Sequence, residues 1–325
     1  MVDKVVDKVL VTGVAGFLGS FLAERLIEEG YYVVGIDNFF RGKMQNIQHL
    51  LSIKKFEFYE HDVRRPLPTW LFDGVEVVFH YAAINGTRHF YERPEEVLTV
   101  NVEGTLNVLR ASIENGVRKF VFASSSEVYG DPQKIPITED HPLVISSINN
   151  PRHSYAVSKI TGEFYVKWFA ERSGLKYLIL RIFNTYGPRM DSSEYGQVIP
   201  EFIRKVLLEP EFTIIGPGTQ TRSFCYIDDN IEMTLRAFRT VDNEVLNIGN
   251  NEEISILDLA RILHEIVGRD FKYRLLPPRE GDPARRVPSI KKVVSLTGYH
   301  PKISLKEGLM KTIEWYKKMW VRNNG

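Results

Sequence analysis

Tyr155 and Lys159 stand four residues apart in Tyr155-Ala156-Val157-Ser158-Lys159. On a helix that spacing puts both side chains on one face. An ammonium beside a phenol favours the phenolate and lowers its pKa from about 10. A phenol tuned in this way takes a proton from a hydroxyl while hydride leaves the same carbon. Lys159 could also hold a ribose. Ser125 lies thirty residues upstream of Tyr155, in Ser124-Ser125-Ser126-Glu127-Val128-Tyr129-Gly130, directly after the apolar run Phe120–Ala123. Its hydroxyl would complete the contact with the reacting oxygen. Tyr-x-x-x-Lys alone is common on helices, so its meaning depends on what the chain places in front of it.

What it places there is a phosphate cradle. Lys8-Val9-Leu10-Val11-Thr12 reads as a buried strand, and it runs into Gly13-Val14-Ala15-Gly16-Phe17-Leu18-Gly19 and then a helix over 20–29. Gly13 permits the tight turn, Gly16 lets backbone approach a pyrophosphate, and Gly19 lets the helix pack close to the strand. The helix N-terminus offers unpaired N–H groups to an anion. The next strand, Tyr32–Ile36, ends on Asp37, 18 residues beyond Gly19. Its carboxylate suits the two hydroxyls of an adenosine ribose, and it argues for NAD over NADP. Arg41 and Lys43 weaken that preference for the unphosphorylated cofactor.

Positioning these groups takes an alternation of short strands and longer helices. Strands are expected at 8–12, 32–36, 56–59, 75–80, 120–123, 177–181 and late at 245–248, with helices between them. That pattern means βαβ units and a parallel sheet, with ligands beyond the carboxyl ends of the strands. The fold class is α/β, a Rossmann-type doubly wound parallel sheet with a smaller C-terminal substrate-binding lobe. The dinucleotide-binding domain would take 1–187 with a return segment at 224–250. The lobe would take 188–223 with 251–325, where prolines and glycines become frequent. The helices at 94–115 and 154–173 are apolar on several sides, which points to a partner as well as a core.

Bulk properties narrow the partners. The 325 residues are 43% hydrophobic, and 42 basic residues face 41 acidic ones. A net charge of +1 gives no reason to expect nucleic acid or an anionic membrane. One cysteine, Cys225, excludes an internal disulfide and suits the cytoplasm. No signal peptide and no membrane span are expected. The scattered histidines show no metal-ligand spacing, so no metal site is expected. Cys225 and the aromatics Tyr31, Tyr32, Phe39 and Phe40 read as packing.

The Gly-x-x-Gly-x-x-Gly spacing, with Ser125 and Tyr155-x-x-x-Lys159, resembles the extended short-chain dehydrogenase/reductases over nearly the whole chain. Within that branch the chain is similar to the nucleotide-sugar epimerases, dehydratases and UDP-glucuronate decarboxylases. The resemblance implies that Asp62-Val63 contacts adenine, with Asn38 beside Asp37 also at the cofactor. It implies that His80-Tyr81-Ala82-Ala83 lies against the cofactor together with Ser124, and that Asn101 is the structural asparagine of the helix beside it. It places Asn184, in Arg181–Arg189, at a nucleotide-sugar site with Val198 and Ser126. Gln220-Thr221-Arg222-Ser223-Phe224 resembles the segment that sets an arginine on the substrate diphosphate. Gly281-Asp282-Pro283-Ala284-Arg285-Arg286 resembles a second contact, and arginine is the better residue for forked phosphate bonds. The branch pairs its long helices into a four-helix bundle, so a homodimer is expected.

The reaction implied is oxidation of a nucleotide-diphosphate sugar at C4 to a bound 4-ketone, followed by return of the hydride. A UDP-hexose or UDP-hexuronate 4-epimerase is the first expectation. UDP-glucuronate decarboxylase and 4,6-dehydratase follow, and a non-catalytic NAD-binding sensor is the remote alternative. Glu127 separates them. An epimerase needs no second base, a decarboxylase motif also reads Ser-Glu, and a dehydratase usually carries an aspartate where Ser126 stands.

Overall fold

The computed structural model describes residues 8–132, 134–192, 197–278 and 284–323. The expected contact segment Gly281-Asp282-Pro283 lies outside the described residues. Seven strands form the main sheet: β1 (Lys8–Thr12), β2 (Tyr32–Asp37), β3 (Phe56–Glu60), β4 (Val77–His80), β5 (Lys119–Ser125), β6 (Lys176–Ile182) and β7 (Glu244–Ile248). Helices are α1 (Phe17–Glu28), α2 (Thr87–Glu92), α3 (Pro94–Glu114), α4 (His153–Ser173), α5 (Val198–Leu208), α6 (Ile227–Thr240), α7 (Ile256–Val267), α8 (Lys291–Thr297) and α9 (Leu305–Asn323).

The spatial order is β7-β6-β5-β4-β1-β2-β3, and every pairing is parallel. Helices cover both faces, so β4 and β5 are buried along their whole length and read as unbroken apolar runs rather than alternating ones. The strand order reverses between β1 and β4, which leaves a crevice at their carboxyl ends. Thr12 pairs with Ile36 on one side and His80 on the other, so Gly13 and Tyr81 leave the sheet at that level, beside Asp37, the last residue of β2.

Local chemistry sets the helix ends. Pro94 opens α3, where its missing N–H costs nothing. Gly174 ends α4 at φ 75°, the left-handed conformation that glycine adopts freely. Two element starts differ from expectation by two residues or more. Gly16 is the extended cap of α1, so Phe17, Leu18 and Gly19 are already helical. β4 begins at Val77, because the Val75 N–H is turned back onto the Phe72 carbonyl.

After β6 the chain leaves the sheet, builds α5 and a set of two- and three-residue strands, and returns through α6 to β7. A three-stranded piece orders Glu253–Ser255, Thr221–Ser223 and Arg285–Arg286, bringing Arg222 and Arg286 side by side. This region shares a core with the sheet: Val9, Val11 and Leu22 belong to the same apolar cluster as Ile199, Phe202, Ile214 and Leu259.

Candidate active site

The glycine turn forms one wall of the site. Gly13 sits at φ +70°, and a Cβ there would lie 2.8 Å from the Ala82 nitrogen. A Cβ on Gly19 would lie 2.2 Å from the Gly13 carbonyl oxygen. No side chain caps α1, so its first N–H groups face the crevice. Gly13, Gly16, Phe17, Leu18 and Gly19 line a cavity of about 350 Å³ with Tyr81, Ala83, Ser125, Tyr155 and Lys159. A branch of about 100 Å³ runs to Asp37, Asn38, Val63 and Ala82. The Asp37 carboxylate accepts from the N–H of Ala15 at 3.0 Å and of Phe39 at 2.8 Å. Burial pushes it up and those two N–H groups pull it down. An uncapped helix start, a glycine floor with no room for Cβ atoms and a carboxylate at the second strand end together fit a dinucleotide.

Across the crevice, β5 delivers Ser125 and α4 delivers Tyr155 and Lys159. Ser125 faces the same cavity as the phenol and accepts from the Glu127 N–H at 3.2 Å, and the Tyr155 ring stacks on Phe90 of α2 at 4.7 Å and 13°. Lys159 Nζ donates to the Ala123 carbonyl at 2.7 Å and lies 5.7 Å from the Tyr155 ring centroid. The spacing of Tyr155 and Lys159 predicts an ammonium that lowers the phenol's pKa. In the structure burial dominates instead: the phenol is raised, with Ser125 and the Arg41 charge pulling it back, and Lys159 is itself pushed down to about 7.

The far end of the cavity is built from charge. Glu127 accepts from Arg286 Nη1 in a short contact and from Arg152 Nη2 at 3.3 Å, and Arg286 also donates to the Gly130 carbonyl at 3.2 Å. Those arginines, with Arg222 beyond them, outweigh burial and hold Glu127 down at about 2. Arg286 is 4% exposed. Arg286 is therefore a buried cation paired with Glu127 rather than a solvated surface arginine. Arg222 donates to its neighbouring Thr221 carbonyl at 2.7 Å. Asn184, Val198, Ser126 and Arg222 all line the cavity, and the Asn184 amide donates to the Ser223 carbonyl at 3.1 Å.

Three residues expected at the cofactor are engaged by other side chains or backbone, and one of them, Ser124, also lines the cavity. Asn101 bonds both backbone groups of Ile84 and the Ser158 hydroxyl, and ties the β4 exit to α4. Asp62 is bound up with Arg64 and Asn38, and Arg64 holds it down at about 2. The Ser124 hydroxyl is committed to Glu163. Phe40, expected as packing, is 39% exposed and lines the Asp37 branch. Sequence reasoning missed Arg152, Phe90 and Glu163. Arg152 carried a signal, one helical turn before Tyr155. Phe90 carried none. Cys225 is buried, and among the described residues no group of His, Cys, Asp or Glu is placed to hold a metal.

With this geometry in hand, comparison with known proteins is decisive. The model of the NAD dependent epimerase/dehydratase family matches residues 9–249. The chain belongs to that family. It is an NAD-dependent enzyme of the extended short-chain dehydrogenase/reductase type. It is 35% identical to UDP-glucuronic acid decarboxylase 1 of Xenopus tropicalis over 97% of this chain and 73% of that protein. A UDP-glucose 4-epimerase from Thermotoga maritima, solved with UDP-glucose, superposes at TM-score 0.89 with 34% identity, covering 96% of this chain and 99% of that one. A UDP-glucuronic acid 4-epimerase from Bacillus cereus, solved with UDP-glucuronic acid and NAD, superposes at 0.88 with 34% identity and the same coverage. Among the described residues no helix is long and apolar enough to cross a membrane.

Proposed function

We propose that the chain is a UDP-hexose or UDP-hexuronate 4-epimerase working through a bound 4-ketone. One observation carries this reading: Ser125, Tyr155 and Lys159 face the same cavity as the glycine turn. NAD, held by the glycine turn and Asp37, would supply the hydride acceptor for oxidation at sugar C4 and the donor for its reversal. Tyr155 Oη accepts the proton of the C4 hydroxyl, and Ser125 Oγ holds that oxygen. Lys159, lodged under the ring, favours the ionised phenol once it is itself charged. Gly13, Gly16 and the start of α1 bind the cofactor pyrophosphate, and Asp37 and Asn38 its adenosine ribose. Arg222 and Arg286 bind the sugar nucleotide's diphosphate, with Asn184, Val198 and Ser126 around the sugar. The chain divides for this task into 1–187 with 224–250, and 188–223 with 251–325.

A second reading, UDP-glucuronate decarboxylase, is favoured by Glu127. A carboxylate held near pKa 2 is a poor general base but a fixed negative charge. Placed beside a C6 carboxylate, Glu127 and its arginine partners would orient that group for loss of CO₂ from the 4-ketone. Incubating the protein with UDP-glucose and with UDP-glucuronate, then analysing products and CO₂, decides between them. C4 inversion without CO₂ supports the epimerase. CO₂ from UDP-glucuronate, abolished in Glu127→Gln, replaces it with the decarboxylase.

The active form is a cytoplasmic homodimer. The single buried thiol suits a reducing compartment. Phe164 and Trp168 on α4 are 57% and 49% exposed, beside the partly exposed Leu98, Val102 and Leu106 of the adjacent α3. Such a patch is an isologous interface in kind. Phe169 packs partly against the core, edge-on to Tyr165, so it is the wrong position to probe. Phe164→Glu with Trp168→Glu is expected to sediment as monomer while the parent sediments as dimer. A monomeric parent at micromolar concentration refutes the interface.

A further inference from the structure

Consecutive residues at the end of β5 face successive turns of α4. Ser125 faces the Tyr155 phenol closely enough to lower its pKa, the Ala123 carbonyl accepts from Lys159, and the Ser124 hydroxyl donates to Glu163. Tyr155, Lys159 and Glu163 are spaced i, i+4, i+8, so they form one line along the helix. Only the first two rungs bear groups assigned to the reaction. The third is a buried carboxylate, 5% exposed, fixed from the neighbouring strand β6: Arg181 Nε donates to it at 3.0 Å and Arg181 Nη2 at 2.8 Å. Arg181 in turn donates to the Tyr129 hydroxyl and to the Glu139 carbonyl, both at 2.9 Å.

We propose that Glu163 is a positioning residue for the reacting set: it holds the end of β5 in register with α4, and its charge faces Lys159 from one turn away inside the protein. The proposal rests on Ser125, Tyr155 and Lys159 being that set. A buried ion pair is weak evidence for stability, since well-packed apolar residues often do as well. This one joins α4 to β6, and the same carboxylate accepts from Ser124 of β5, so it links α4 to the strand that carries Ser125. Lys159 has an uncharged direct partner, the Ala123 carbonyl, and faces the rings of Phe122 and Tyr155. Burial pushes its ammonium down and Glu163 is what pushes it back up. The other titratable groups around the pair are Arg181 on β6, Tyr129 after β5, Glu139 before α4, and His80 on β4, which feels the Lys159 charge and is itself held down at about 3 by burial. None of these supplies Lys159 with a carboxylate in Glu163's place.

The test follows Lys159 directly, without substrate. The holoenzyme is labelled with ¹³Cε-lysine, and the Lys159 resonance is assigned by its loss in Lys159→Arg and titrated between pH 5 and 10. In Glu163→Gln its midpoint is expected to fall, because the carboxylate is gone and Arg181 is left beside it. In Glu163→Asp the midpoint returns toward the parent's even where thermal stability does not. Ser124→Ala removes the rung and keeps the ion pair, so it leaves the midpoint in place and lowers the rate of keto-sugar formation, by about tenfold if one hydrogen bond is lost. Should Glu163→Gln fail to fold, Glu163→Asp and Ser124→Ala still decide. A Lys159 midpoint unmoved in Glu163→Gln, or a Ser124→Ala rate equal to the parent's, overturns the proposal. Tyr155→Phe run in parallel separates the two levels: full activity there sinks the reacting set itself, while loss of activity there with an unmoved Lys159 sinks only the role of Glu163.

Discussion

The two ends of the cavity are built by opposite means. At the cofactor end the wall is backbone: Gly13, Gly16, Gly19 and the uncapped start of α1, with one carboxylate, Asp37, at the end of its branch. At the sugar end the wall is charged side chains, with Glu127 clasped by Arg152 and by Arg286, which lies 159 positions along the chain from it. Backbone walls are fixed by local turns and serve any sequence that can make those turns. Side-chain walls need distant elements to converge, and their charges must be balanced before any ligand arrives. Under the proposed assignment, cofactor binding is carried by the first kind of wall and the choice of substrate by the second.

The sharpest way to break this contrast is Tyr155→Phe, at the junction of the two ends. Removing the phenol is expected to cost about 10²- to 10⁴-fold in turnover, with fold and cofactor content intact. Near-parental turnover would mean that the junction does no proton chemistry. Next comes Glu127, which tests whether the sugar end is pre-balanced. Its folded pKa of about 2 lies below the ordinary 4.5, so its stabilising contribution is complete above about pH 4.5 and disappears as pH falls toward 2. In Glu127→Gln the acid limb of the stability curve is expected to flatten over that window, by on the order of 3 kcal/mol. Chemical denaturation from pH 2 to 6 measures it, and an unchanged limb refutes the clasp.

At the cofactor end, Asp37→Ala is expected to weaken NAD binding by about 1.5–3 kcal/mol and to relax discrimination against NADP. Calorimetry with both cofactors checks this, and unchanged NAD affinity removes Asp37 from the ribose. The smallest effect is expected at Asp62→Asn. The Arg64 partner of Asp62 is 40% exposed, and such pairs contribute about 0–1 kcal/mol. A loss of NAD affinity comparable to that of Asp37→Ala would restore Asp62 to the cofactor site.

How far each end was legible in the sequence follows the same division. The cradle and Asp37 fall within thirty residues of one another, in a strand-turn-helix-strand whose periodicity is visible. Tyr155 and Lys159 share a helix, so spacing alone puts them together. The clasp was hidden because a partner's identity depends on how α4 and Arg285–Arg286 meet over β5, and single residues carry no trace of that. Arg152 and Glu163 flank Tyr155 and Lys159 at helical intervals and were readable in principle, but a charge on a helix is usually a solvated one. Local burial, not spacing, decided the state of the phenol, and burial is a property of the assembled core. The late strand β7 was visible as an apolar run, although its place beside β6 was not.

That place has a bearing on how the enzyme is made. β7 pairs with β6, yet residues 183–243 lie between them. As the polypeptide emerges from the ribosome, β6 is an uncovered sheet edge until Glu244–Ile248 follows it, and an uncovered edge invites wrong pairing. The cofactor floor can form while translation is still under way, whereas Arg286 arrives after β7. The order of synthesis thus completes the general part of the machine before the part that chooses what it acts on.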